Sequence, residues 1–72
     1  MRVYQIRSKE HGDLGLFKNP KRAIEAAARQ SGMMPTYKDN VVNFNTAAGL
    51  VKKNGAQVSF GPGTWVSGRQ VM

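Results

Sequence analysis

Asn19 and Pro20, followed by an alanine-rich run that stops at Gly32, constrain this chain more than any other feature. An asparagine side chain accepts hydrogen bonds from the free N–H groups of a first helical turn. Proline directly after it loses nothing, because its missing N–H had no partner in a helix anyway. Ala23, Ala26, Ala27 and Ala28 are the strongest helix formers, and Gly32 suits the left-handed residue that closes a helix. The pattern therefore predicts a helix over 20–31, with Ile24, Ala27, Ala28 and Ser31 on its inner face. A face made mostly of alanine must lie close to whatever covers it, which calls for a sheet.

Strand signals stand on both sides of this helix. Residues 2–7 alternate, with Tyr4 and Ile6 on one face and Val3, Gln5 and Arg7 on the other. The polar run Lys9–Asp13 reads as a hairpin loop, and Leu14–Phe17 as the returning strand, with Gly15 marking a bulge or a close approach. Met33–Thr36 reads as a loop whose methionines plug the edge of the core. Residues 37–44 admit two readings: Val41, Val42 and Phe44 form a short strand, or they staple the entrance to a second helix. That helix is expected to be capped by Asn45 or Thr46, to pack through Ala47, Ala48, Leu50 and Val51, and to end at Asn54-Gly55. A closing hairpin follows, with Gln57–Phe60 and Thr64–Val66 joined by Gly61-Pro62-Gly63, and with Ser67-Gly68 as punctuation. The expected fold class is α+β: a single small domain over residues 1–72, with a mostly antiparallel sheet of two hairpins and one or two helices on one face.

With 72 residues there is room for one core. Its candidates are Val3, Tyr4, Ile6, Leu14, Leu16, Phe17, Ile24, Val41, Val42, Phe44, Leu50, Val51, Val58, Phe60, Trp65, Val66 and Val71. A domain of this size buries only about 60–65% of its unfolded surface, so a homodimer would relieve the shortage. Cysteine is absent. Small secreted domains usually need disulfides, so a reducing cytoplasm is the expected location. No apolar run is long enough to span a membrane, and no membrane partner is expected.

The side chains give little to chemistry. His11 is the one histidine and sits in the predicted hairpin loop as a solvated residue. Glu10, Asp13, Glu25 and Asp39 are the only carboxylates, and none falls at a metal-ligand spacing. The Gly61-Pro62-Gly63 loop lacks both a phosphate-binding lysine and a following helix, so it is a plain turn. Catalytic residues, metal and cofactor are all expected to be absent, and the protein to be no enzyme.

Charge says more. Eleven Lys and Arg against four Asp and Glu give +7 and a pI near 10.4. That balance is the electrostatic footprint of a nucleic-acid-binding domain. The expected contacts to phosphate are Lys18, Lys21, Arg22 and Arg29 along the first helix, joined by Lys52 and Lys53 at the end of the second. Arg22, Glu25 and Arg29 share one stripe, and Lys21 flanks it. Tyr4 and Trp65 stand near basic residues, as stacking aromatics would, but a small core needs both as packing residues. Tyr37, in a polar loop, is expected to be exposed. The alternative is a small adaptor or inhibitor, of the type that mobile elements carry, docking on a larger acidic protein through a sheet edge or the Met33-Met34-Pro35 loop.

Overall fold

The computed structural model describes residues 2–53 and 57–70. The elements run β1 (Arg2–Ser8), β2 (Gly12–Phe17), α1 (Pro20–Ser31), β3 (Thr36–Tyr37), β4 (Asn40–Val41), α2 (Phe44–Val51), β5 (Gln57–Ser59) and β6 (Thr64–Gln70). They form one six-stranded antiparallel sheet, ordered β2-β1-β6-β5-β3-β4, with two helices. The fold class is the α+β arrangement expected.

Helix α1 begins and ends as its sequence dictates. The Asn19 side chain accepts from the backbone N–H of Lys21 at 2.9 Å and of Arg22 at 3.3 Å. Gly32 closes the helix, donating to the Ala28 carbonyl at 2.8 Å. Ala23, Ile24 and Ala27 are fully buried, with Ala28 and Ser31 at the margin.

The second helix starts earlier than expected. Asn43, not Asn45 or Thr46, is the cap, and its side chain accepts from the N–H of Thr46 at 2.7 Å. Phe44 is thus the first helical residue and packs at the edge of the core. The helix stops at Val51. Asn54 and Gly55 lie outside the described residues.

Residues 36–41 resolve the ambiguous segment as a hairpin of two-residue strands. Its turn residues Lys38 and Asp39 both have positive φ, at 50° and 67°. A two-residue hairpin turn demands this of its central positions, although neither residue is glycine. Tyr37, expected to be exposed, is half-buried, and the Lys38 ammonium lies 5.4 Å from the centre of its ring.

Strand register decides which side chains meet the helices. Ile6 stands opposite Val66, and Val66 opposite Val58. These three and Tyr4 form one core with Phe60, with Ala23, Ile24 and Ala27 of α1, and with Ala47, Ala48 and Val51 of α2. Both helices therefore cover the same face.

Several expected core residues are not in the core. Trp65, Val3 and Leu16 alternate with core-facing neighbours and point to the uncovered face. Val41, on the edge strand, is 68% exposed, and Val71 lies outside the described residues. In β2 the cause is a bulge: Ile6 pairs with Gly15 but Arg7 pairs with Asp13, leaving Leu14 as the extra residue. The bulge breaks the alternation, so Leu14 packs on the core while Leu16 is 62% exposed. Gly15, at φ 151°, is the residue that allows it.

Gly68 does not punctuate the chain. Strand β6 runs through it to Gln70, because α2 crosses directly above it. A Cβ at this position would lie 2.5 Å from the Val51 carbonyl oxygen, a backbone atom that cannot rotate away. Gly68→Ala should therefore push α2 off the sheet and cost about 1–3 kcal/mol. Thermal unfolding checks this, with a fall of roughly 4–8 °C expected per kcal/mol in a domain this small. An unchanged midpoint would mean that α2 is not held against β6.

Candidate nucleic-acid interface

Three contacts fix the relative direction of the helices. Phe17, just before α1, stands opposite Tyr4, and Tyr4 stands opposite Gly68. Val51, the last residue of α2, lies over Gly68. Helix α1 thus begins at the end of the sheet where α2 finishes.

This arrangement gathers cations from four parts of the chain. Lys18, Lys21 and Arg22 surround the start of α1, and Lys52 and Lys53 follow the end of α2. Arg2 opens β1, and Arg69 lies near the end of β6, opposite Val3. Together these are seven of the eleven Lys and Arg. Three of the four carboxylates lie elsewhere, while Glu25 lines a groove with Arg22. Glu10 and Asp13 belong to the β1–β2 turn region, Asp39 to the tip of the β3–β4 hairpin, and Glu25 to the middle of α1.

Apart from Arg2, these cations have distinct local settings but a common outlook. Lys18, Lys21, Arg22, Lys52, Lys53 and Arg69 are all exposed. Lys21 and Arg22 stand in the first turn of α1, which contains no acidic residue. The helix dipole there adds partial positive charge to theirs. Arg2 instead ties two elements together. Its guanidinium donates to the Lys52 carbonyl at the end of α2, where a cation is favoured.

Of the six residues singled out from sequence, five lie at this cationic end. Arg29 does not. It lies seven residues beyond Arg22 on the same stripe, about 10 Å along the helix. Between them Glu25 faces the same groove of ≈ 250 Å³, which Phe17 and Ala26 also line. Arg2 and Arg69 join the group through the fold alone. Nothing local in the sequence marks them, because they come together only when the first and last strands pair.

His11, Glu10, Ser8 and Thr64 line a groove of ≈ 540 Å³ away from the cationic end. His11 sits in the β1–β2 turn with its side chain 70% exposed, 3.8 Å from the Glu10 carboxylate. Among the described residues no group of three or more His, Cys, Asp or Glu could hold a metal ion. Among the same residues no helix is long and apolar enough to cross a membrane. The Met33–Met34 loop does not plug the core: these residues are 48% and 51% exposed and line a groove of ≈ 530 Å³ with Phe44, Ala28 and Arg29.

The chain matches no protein-family model, no curated protein and no solved structure.

Proposed function

We propose that this chain is a sequence-tolerant nucleic-acid-binding domain, non-enzymatic and cytoplasmic, that grips phosphates at its cationic end. One observation carries the reading: seven cations from distant parts of the chain lie toward one end of the sheet, with a single carboxylate, Glu25, on the neighbouring turn of α1. Scattered solubility charges would be mixed with acids over the whole surface. Exposed lysines and arginines on helix ends and strand ends can follow a phosphate backbone without reading bases. The affinity of such a surface comes mainly from counterion release.

The test is binding of a generic duplex and a generic single strand across a salt series. Retention should be strong near 50 mM salt and collapse by about 200 mM. Absence of binding to either at low salt would overturn the reading.

A second reading rests on a different observation. Exposed Met33 and Met34 beside Phe44 make an adaptable apolar surface of the kind used to hold protein partners. On that reading the domain is a small adaptor or inhibitor whose positive charge selects an acidic partner. Capture of a single acidic protein, surviving 200 mM salt (roughly the upper end of the same series), would favour it.

A further inference from the structure

The uncovered face of the sheet has a composition of its own. One row crosses all six strands: Val41, Thr36, Ser59, Trp65, Arg7 and Asp13. The next row holds Gln57, Ser67, Gln5 and Leu16, and the last pairs Arg69 with Val3. Trp65 is the chain's one tryptophan and stands on a central strand, yet it is no part of the core. It is half-buried on the helix-free face, among the side chains of that face and not those of the core. Around it are hydroxyls, amides and two guanidinium groups, of which Arg7 lies 3.7 Å from Asp13.

We propose that this face is a stacking platform for single-stranded nucleic acid, with a base lying on Trp65 and the backbone running along β6 to Arg69. The inference rests on the nucleic-acid reading above and adds to it which form is bound and where. Trp65, Ser67 and Arg69 alternate onto the same face, so Trp65 and Arg69 are about 13 Å apart at ~3.3 Å per residue. Arg69 stands at the same end of the sheet as the helix-borne cations but on the other face. A strand leaving the ring therefore meets Arg69 first and reaches them around the end of the sheet. A flat ring presents a face that any unpaired base can stack on, whereas bases in a duplex are already stacked on each other. Charge disfavours the obvious rival occupant, a second copy of the sheet: each copy carries +7, and within that total this face holds two arginines against one aspartate. Its apolar members are also dispersed, with Val41 and Leu16 on opposite edge strands and polar residues between. The sugar is not read by stacking or by phosphate contact, so DNA and RNA strands serve equally.

Because Trp65 is the only tryptophan, its fluorescence reports on this face alone. The probes are oligothymidylate and oligouridylate of about twelve nucleotides, with a blunt duplex of the same length. Both single strands should quench and shift the emission, and the duplex should bind without doing so. Trp65→Ala should lower single-strand affinity about 5- to 100-fold, leave duplex affinity unchanged and keep a cooperative thermal transition. Trp65→Phe should recover part of the loss. If both nucleic acids bind but the emission does not change and Trp65→Ala binds normally, the platform is wrong and the phosphate reading stands. If nothing binds at low salt, both fail. An emission shift that follows protein concentration alone, with dimer in sedimentation, would make this face a self-interface and overturn the proposal.

Discussion

Phe60→Ala should unfold the domain, while Trp65→Ala, five residues away across the same turn, should leave it folded. Phe60 is the largest fully buried side chain, 1% exposed between the sheet and the helices. Truncating a buried phenylalanine costs about 3–5 kcal/mol, from lost transfer energy and from the cavity left behind. That equals most of the stability available to a domain near 70 residues, whose core rarely supplies more than about 3–5 kcal/mol. Trp65 has the larger ring but is half-buried outside the core cluster, so its removal opens no cavity between the sheet and the helices and costs less. Circular dichroism against temperature or urea separates the two. A cooperative transition for Phe60→Ala, or its loss for Trp65→Ala, would mean that the two faces of the sheet have been assigned the wrong way round.

The second large effect concerns where charge sits as opposed to how much there is. Two triple glutamine variants make the comparison: Lys21, Arg22 and Lys52 at the cationic end, and Lys9, Arg29 and Lys38 away from it. Each removes three charges from +7 and leaves +4. The first should lower the slope of log K against log salt by about 2–2.7, at ~0.7–0.9 per lost phosphate contact. At ~1 kcal/mol per exposed contact, it should also weaken binding at low salt by more than roughly a hundredfold. The second should change both quantities little. Equal losses would show that nucleic acid responds to net charge and that the cationic end is not a site. Arg29 is the informative member of the control set, since it shares a helical stripe with Arg22 but not the end of the sheet.

Much of this fold is written locally, and the parts that are not have identifiable causes. Asn19-Pro20 and Gly32 specify α1 because a cap, a proline and a closing glycine act only on their own neighbours. The start of α2 is not legible in the same way, because Asn43 and Asn45 are both competent caps and only the docking of Phe44 on the core selects the first. The 36–41 hairpin is hidden because Lys38-Asp39 occupies a turn that sequences usually mark with asparagine and glycine. Trp65 is ambiguous for a different reason. Alternation says that Trp65 and Val66 face opposite ways, but only the pairing of Val66 with Ile6 says which way is inward. Five of the six expected phosphate contacts share one end because antiparallel helices bring the start of α1 to the finish of α2. That is a property of topology, and no window of sequence contains it.

The first turn of α1 has a consequence for how firmly the domain holds together. Lys21 and Arg22 stand at the positive end of their own helix, with no acid in that first turn. Each such cation disfavours the helix by about 0.3–1 kcal/mol at low ionic strength. The unliganded domain is therefore frustrated where it is proposed to work. Lys21→Glu should raise the melting temperature in dilute buffer while weakening the hold on phosphate. The wild-type protein should gain stability from added salt, and gain more from a polyanion that binds only the folded state. Tolerance to heat and retention of ligand would then run in opposite directions across variants of this turn, so selecting for robustness alone would erase the binding surface.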